Sequence, residues 1–373
     1  MSKNVAICGF ARSPFTLANK GQLAKVRPDD LAAEVVKGLI KNNSINVDDV
    51  EDLILGCAFP EAEQGMNLAR NVVFLSGLPH SVGGVTVNRF CASSMQAIHQ
   101  AAGAIISGSG ELFIAGGVES MSRVPMAGFN PMLNPSLIDM EAYIGMGHTA
   151  ENLAKEYSIS RVKQEKMALE SHQKAAKAKD EGSFKEEIVS INGINEDGCI
   201  RPDTSLESMA KLKPAFDKDG VVTAGTSSPL TDGASAVLIC SEDYANSNNL
   251  KIMAFVRGMA VSGCSPEIMG IGPVLSSQKA LKRASISLDE IDIIEMNEAF
   301  GAQSLACVKE LGIDMKKLNL HGGAISMGHP LGASGARITG KAASLLQVKN
   351  KRYALSTMCV GGGQGCATVL ERA

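Results

Sequence analysis

Four side chains stand out for the chemistry their surroundings allow: Cys91, Asn297, His329 and Cys359. Cys91 follows the extended run Val85-Thr86-Val87-Asn88-Arg89-Phe90 and leads into a helical pattern beginning Ala92-Ser93-Ser94-Met95. A thiol at a helix N-terminus feels the positive end of the macrodipole. The sequence therefore predicts a thiolate favoured below the free-cysteine pKa of about 8.5; a buried structural thiol is the alternative. His329 sits in the glycine-rich stretch 322–335, where Pro330 turns it away from helical conformation. The alternative there is a turn histidine satisfied by backbone, and His99 and His172, in helical patterns, read as structural. Cys359 ends a strand and enters Val360-Gly361-Gly362-Gly363-Gln364-Gly365, whose bare N–H groups suit an anion hole. Asn297, in Glu295-Met296-Asn297-Glu298-Ala299-Phe300, is either functional or a turn Asn. Together the four suit acyl transfer through a thioester. A thiolate attacks a carbonyl, an imidazole moves its proton, and oriented N–H donors hold the oxyanion. No glycine motif of a nucleotide-binding loop stands between a strand and a helix, which counts against a nucleotide-dependent enzyme.

The elements that must hold these groups are legible in an internal repeat. Residues 44–59, SINVDDVEDLILGCAF, align without a gap with residues 285–300, SISLDEIDIIEMNEAF, at a constant offset of 241. Asn297 falls opposite Gly56 in that alignment, which makes it suspect as a functional departure. A helical pattern (Leu31, Val35, Leu39, Ile40) precedes the first copy, and Leu281 in a shorter Lys/Arg-bearing turn precedes the second. Later, Met95, Ile98, Ala102 and Ile105 lead to strand 112–115 and Gly116-Gly117. In parallel, Ile338, Ala342, Leu345 and Leu346 lead to strand 353–358 and three glycines. The last strand of the second half follows at once, whereas its first-half counterpart waits until residue 233. Residues 121–231 thus read as an insertion lying over one face. The expected fold is α/β, with two repeated halves in an α/β/α/β/α body and a mostly parallel sheet. The domains are 1–248, containing the inserted loop domain 121–231, and 249–373.

Composition bounds the rest. The 373 residues exceed one ordinary core, and 45% hydrophobic with 20% charged residues is a globular balance. A formal charge of −3 gives no sign of nucleic-acid binding, and no apolar run approaches the ~18 residues of a membrane span. Residues 1–8 are too short in apolar content for a secretory signal. Nine scattered cysteines without metal-ligand spacing argue against a disulfide scaffold or a metal site, and for a reducing, cytoplasmic compartment.

On these residues the chain resembles the thiolase family over its whole length. Asn88-Arg89-Phe90-Cys91-Ala92-Ser93-Ser94 is similar to the family's nucleophile motif, and 297–300, 322–335 and 359–365 to three later signatures. The resemblance implies two βαβαβαββ halves with a loop domain inserted in the first. It implies Cys91 as the acylated nucleophile, His329 as its activator, and Cys359 as the acid/base at the α-carbon of acetyl-CoA. Asn297, through a water, and His329 would form one oxyanion hole, and the N–H groups of Cys91 and Gly361 the other. Ser228, in the stretch from Thr223 and Ala224 to Ser228, would meet the pantetheine, Arg201 and Ser208 the CoA nucleotide. Met146, Phe216, Met269, Ala299 and Phe300 would line the channel. Coenzyme A enters as a substrate, and no cofactor is implied. Gly301, His321 and Ala92 depart from residues common in the family, and Gly301 and His321 lie where they would alter the channel. The absence of a His before Met146, the position of His148 and the short stretch 121–143 resemble the degradative, broader-chain branch. The alternatives are an acetoacetyl-CoA-specific biosynthetic thiolase, a ketoacyl synthase, and a non-catalytic member that binds CoA or lipid. A homodimer or dimer of dimers is implied, and a hetero-complex with a hydratase/dehydrogenase subunit is compatible with the degradative branch.

Overall fold

The computed structural model describes residues 3–373. The first half runs β1 (Val5–Arg12), β2 (Thr16–Leu17), α1 (Pro28–Asn43), β3 (Asp52–Gly56), α2 (Leu68–Ser76), β4 (Gly83–Val87), α3 (Ser93–Ser107) and β5 (Leu112–Ser120). An excursion then carries α4 (Pro135–Asp139), α5 (Met146–Glu156), α6 (Arg161–Asp180) and α7 (Leu206–Ala210) before β6 (Thr231–Ser241) and α8 (Glu242–Ser247). The second half runs β7 (Ala254–Gly263), α9 (Gly272–Ala284), β8 (Ile293–Met296), α10 (Gly301–Leu311), α11 (Ala324–Met327), α12 (Leu331–Val348), β9 (Tyr353–Val360) and β10 (Gln364–Arg372).

The repeat is structural. Ser44 and Ser285 both cap their helices in left-handed conformation, at φ +50° and +56°. Each is followed by a single helical turn, Val47–Asp49 or Leu288–Glu290, and then by an inner strand, β3 or β8. The helix before the second copy, expected as a short turn, is the full-length α9. Besides Leu281, its buried face is made of Gly272, Pro273, Ser276, Ser277 and Ala280, too small and polar to signal a helix by hydrophobic period. A Cβ on Gly258 would come within 2.4 Å of the Ala280 carbonyl, which is why small residues are needed at this contact.

Neighbouring strands run in the order β4-β3-β5-β6-β1, continuing through β7-β10-β9-β8. The expectation of a mostly parallel sheet is corrected. Only β3 with β4, β3 with β5, and β8 with β9 pair in parallel, and the remaining strand pairs are antiparallel. The cause is local: β9 turns straight into β10 through three glycines, and a turn that short joins only antiparallel neighbours. The halves meet where β1 and β7 share just two residue pairs, Ala6↔Phe255 and Ile7↔Ala254. In the first half β5 also runs on through Gly116 and Gly117 rather than turning there. A Cβ on Gly117 would collide with the Gly332 carbonyl, so this glycine admits α12 to the strand, while one on Gly116 would meet Ser235 and Ala236 of β6.

Side chains alternate between layers with the strand period of two. Leu53 and Leu55 of β3 join α1 and α2 in one outer core, while Ile54 faces the central layer. In β8, Ile294 and Met296 join α9 and α10 in the other outer core, and Ile293 turns inward. The central core gathers Ile98 and Ile105 of α3 and Ala342 and Leu346 of α12 with strand residues from both halves, giving five α/β/α/β/α layers. Helix α12 is buried on nearly every side, and glycines set its distances. A Cβ on Gly335 would lie 2.4 Å from the Met95 amide, so α3 and α12 cross almost backbone to backbone. The excursion is fastened by buried ions. Arg12 pairs with Glu187 at 2.8 Å and with Asp197 at 2.7 Å, and Lys341 of α12 reaches Glu187 at 2.8 Å. Two cations meet two carboxylates, which satisfies a charge set that burial would otherwise penalise.

Gly335→Ala should destabilise the protein by about 1–3 kcal/mol in urea unfolding, because the added methyl must push two buried helices apart. An unchanged midpoint would contradict the crossing as described.

Candidate active site

The four side chains lie at the ends of inner strands or the starts of central helices. Asn88 builds the turn that presents Cys91: its Oδ1 accepts the Phe90 N–H at 2.8 Å and its Nδ2 donates to the Ala58 carbonyl at 2.9 Å. Phe90 is thereby held at φ +43°, a left-handed conformation rare for a bulky residue. The single turn Phe90–Ala92 follows and runs on into α3, with Cys91 buried. The Gly361 N–H lies close enough to the Cys91 sulfur to favour its charged form.

Arg89 ties this turn to the other half. Its Nε donates to Gln96 Oε1 at 2.8 Å and its Nη1 to Gln364 Oε1 at 2.8 Å, while Gln364 Nε2 donates to the Gly361 carbonyl at 3.2 Å. Gly361, whose N–H faces Cys91, is therefore braced through its carbonyl from the nucleophile's own turn.

His329 is held by its backbone and by both ring nitrogens. Its N–H donates to Thr231 Oγ1 at 3.1 Å, and Gly328 before it takes φ +98°, where a Cβ would strike the same threonine. On the ring, Nδ1 lies 2.5 Å from Ser334 Oγ and Nε2 lies 3.2 Å from Asn297 Nδ2. Asn297 is fixed in turn by its neighbour Glu298, whose carboxylate accepts from Asn319 at 2.7 Å and from Ser171 at 2.7 Å. Asn319 also brackets Met296, accepting its N–H and donating to its carbonyl, each at 2.9 Å. The Asn297 Oδ1 is buried with no protein partner, so it offers an acceptor to a water or a ligand.

Electrostatics correct one expectation. The Cys91 thiol is not poised as a thiolate: burial pushes its pKa up to about 11, past the help given by the Gly361 N–H, with Glu119 adding to the rise. Desolvation outweighs the helix terminus because the sulfur is inside the protein. Burial also lowers His329 to about 3, aided by Arg337, so the imidazole rests neutral with a lone pair available. Cys359 is driven well above its ordinary value by burial first and then by the nearby Cys91 and Cys307.

The structure joins Cys91, Gly361 and Cys359 in one group and Asn297 with His329 in another. They meet through Leu331, two residues beyond His329, which packs in the same apolar cluster as Cys91. Met146, Met269, Ala299 and Phe300 cluster around Cys359, and Phe216 stands edge-on to Phe300 at 5.8 Å. Ser228 is half-buried beside them, its N–H donating to the Ala299 carbonyl at 2.9 Å, while Ala224 in the same stretch is exposed. Arg201 and Ser208 are exposed on the excursion and stand outside this cluster; the Ser208 hydroxyl is engaged with Ser205 as a helix cap. Of the departures, a Cβ on Gly301 would lie 3.2 Å from the Gln164 Cβ, so the glycine lets α6 close on α10. His321 packs edge-on to Phe184, with 6.2 Å between ring centroids.

The sequence reading passed over Glu119, Asn319, Ser334 and the Arg89–Gln364 brace. Glu119, 1% exposed, accepts N–H groups from Ala58 at 2.8 Å, Phe59 at 3.2 Å and Gly332 at 2.8 Å, and from the Gln64 amide at 2.9 Å. Burial raises its pKa against these donors. A lone carboxylate closing the apolar strand 112–118 was the signal available.

Comparison with known proteins follows the same lines. Residues 5–243 match the family described as Thiolase, N-terminal domain, and residues 250–372 match Thiolase, C-terminal domain. A protein of Aliivibrio fischeri named 3-ketoacyl-CoA thiolase is 49% identical over 99% of this chain and all of its own. One of Shewanella loihica with the same name is 48% identical over the whole of both. Among solved structures, human mitochondrial 3-ketoacyl-CoA thiolase in complex with CoA superposes with a TM-score of 0.93 at 37% identity, covering 100% of this chain and 98% of that one. Bacillus anthracis acetyl-CoA acetyltransferase gives 0.92, also at 37%, covering 100% and 99%.

With the thiol near 11, Cys91 alkylation by iodoacetamide should keep rising about tenfold per pH unit up to at least about pH 9. A plateau near neutrality, followed by mass spectrometry of the labelled peptide, would mean a standing thiolate. Glu119→Ala should cost about 1–3 kcal/mol in urea unfolding, since it strands buried N–H donors; an unchanged midpoint would deny the carboxylate its bridging role.

Proposed function

Because the chain belongs to the thiolase family of acyltransferases, we propose that it cleaves 3-ketoacyl-CoA with CoA to acetyl-CoA and a shortened acyl-CoA, in fatty-acid degradation. The observation that carries this reading is the meeting of two thiols at one strand end. The Gly361 N–H lies by Cys91, and Cys359, two residues before it, is near enough to Cys91 for ionisation of one thiol to oppose that of the other.

In this reaction Cys91 attacks the 3-keto carbonyl and its proton passes to the neutral His329 as the carbon–sulfur bond forms. The N–H groups of Cys91 and Gly361 hold one oxyanion, and Asn297 with His329 holds the other, through a water on Asn297. The carbon–carbon bond breaks, and acetyl-CoA leaves as an enolate that Cys359 protonates. A thiol kept protonated by burial suits that step. A second CoA then gives its thiol proton to Cys359 and attacks the acyl group on Cys91. CoA is a substrate here, and no cofactor or metal is invoked. Ser228 meets the pantetheine, with Ala224 of the same stretch beside the CoA, Arg201 and Ser208 the nucleotide, and Met146, Phe216, Met269, Ala299 and Phe300 the acyl path.

The same reading divides the chain into 1–248, with loop domain 121–231, and 249–373. It makes the protein cytoplasmic and a homodimer or dimer of dimers, compatible with a hydratase/dehydrogenase partner. The half-exposed edge strand β4, with Val85 39% exposed, supports self-association. Among the described residues no helix is long and apolar enough to cross a membrane.

Cys91→Ala should reduce CoA-dependent cleavage to background, whereas Cys359→Ala should still form an acyl-enzyme from acetyl-CoA but lose carbon–carbon chemistry. Near-normal cleavage by Cys91→Ala would refute the assignment. Comparable rates on acetoacetyl-CoA and a long-chain 3-ketoacyl-CoA are expected; activity on acetoacetyl-CoA alone would move the enzyme to the biosynthetic branch.

A further inference from the structure

The Nδ1 side of His329 carries a hydrogen-bond chain that none of these steps uses. Ser334 Oγ lies 2.5 Å from Nδ1 and 2.9 Å from the Pro330 carbonyl, one helical turn back. Ser334 is 1% exposed, so solvent does not compete for either contact. Serine has a single hydroxyl hydrogen. Donated to the Pro330 carbonyl, it leaves only lone pairs toward the imidazole, and Nδ1 must carry the ring hydrogen. The far side of the ring makes the same demand: Asn297 Nδ2 brings an N–H to Nε2 at 3.2 Å, which needs a lone pair there.

We propose that Ser334 is a positioning residue that fixes His329 as the Nδ1–H tautomer and so leaves the Nε2 lone pair as the base. The backbone supports this arrangement. Pro330 precedes α12 directly, and the Ser334 N–H also donates to its carbonyl, at 3.0 Å, so the serine back-bonds to the residue after the histidine. Thr231 and Gly328 fix the histidine's backbone independently. A carboxylate in this place would orient the ring but also raise its basicity and store an imidazolium. A hydroxyl orients it without charge, in keeping with an imidazole that rests neutral.

The protons balance. As Cys91 sulfur bonds to the substrate carbonyl, its hydrogen moves to the Nε2 lone pair and takes the place of the Asn297 N–H there. Nδ1 keeps its own hydrogen, accepted by Ser334 throughout, and the serine hydrogen stays on the Pro330 carbonyl. When the acyl group leaves for CoA, Cys91 sulfur takes its proton back from Nε2.

The inference rests on the thiolase reading for what the base acts upon, and the test separates the two. The full chain labelled with 15N-histidine is compared with its Ser334→Ala, Ser334→Thr and His329→Asn variants by two-bond 1H–15N correlation, the last variant assigning the signal. In the wild type Nδ1 should be protonated and Nε2 bare. Ser334→Ala should mix or reverse the tautomers and lower kcat for thiolysis about 10²-fold with KM for CoA unchanged. Ser334→Thr should restore both, because threonine Oγ1 can also bond the carbonyl one turn back. A protonated Nε2 in the wild type overturns the proposal, as does a Ser334→Ala protein that keeps its tautomer, whether or not kcat falls. If the wild type performs no thiolysis, the thiolase reading fails and the spectra alone decide the role of Ser334.

Discussion

One buried carboxylate holds together pieces of chain that the site needs in register. Glu119, at the end of β5, receives donors from the loop after β3, from Gln64, and from Gly332 in the first turn of α12. The loop after β3 carries Ala58, whose carbonyl anchors the Asn88 that shapes the nucleophile's turn. The first turn of α12 follows His329 directly. A single side chain thus fixes the distance between the segment behind Cys91 and the segment behind His329, which belong to different halves. Its lone pairs are spent on N–H groups that helix starts and irregular loops cannot satisfy internally.

Charge is distributed with the same economy. Where the protein needs strength, it buries ions in balanced sets, as Arg12 and Lys341 do with Glu187 and Asp197. Where it needs chemistry, it buries neutral groups: two thiols raised and one imidazole lowered by desolvation. The resting site therefore carries little charge of its own beside the apolar cluster of Met146, Met269 and Phe300. Charge arises there only when a substrate carbonyl is attacked, in front of donors already in place.

Much of this was legible in the chain. The repeat at residues 44–59 and 285–300 predicted two equivalent segments, which the structure shows as matching caps, turns and strands. His329 and Cys359 were visible because reactive residues beside glycines are unusual, Cys91 because it stands between an extended run and a helical pattern, and Asn297 because it departs from Gly56 in the repeat. Strand direction was misjudged because alternation of helices and strands hides a tight glycine turn that reverses the chain. The Cys91 pKa was misjudged because a helix terminus is local, whereas desolvation depends on Met95, Leu331 and Val360 closing around the sulfur. Glu119, Asn319 and Ser334 are ordinary polar residues in sequence; their partners lie 60, 23 and 5 residues away, and only the last distance falls within a readable window.

The two halves share a plan but divide the labour. At the repeat's constant offset, Asn297 stands opposite Gly56, whose added Cβ would lie 2.4 Å from the Ser93 carbonyl carbon at the start of α3. Cys359 stands opposite Val118, whose carbonyl would meet a Cβ on Gly332 at 2.5 Å. In one half the strand tips are stoppered by helix backbone; in the other they carry reactive groups, themselves buried. The repeat gives this fold a pair of equivalent sockets, one filled with packing and the other furnished from both sides, so each polypeptide holds one workplace built by two copies rather than two.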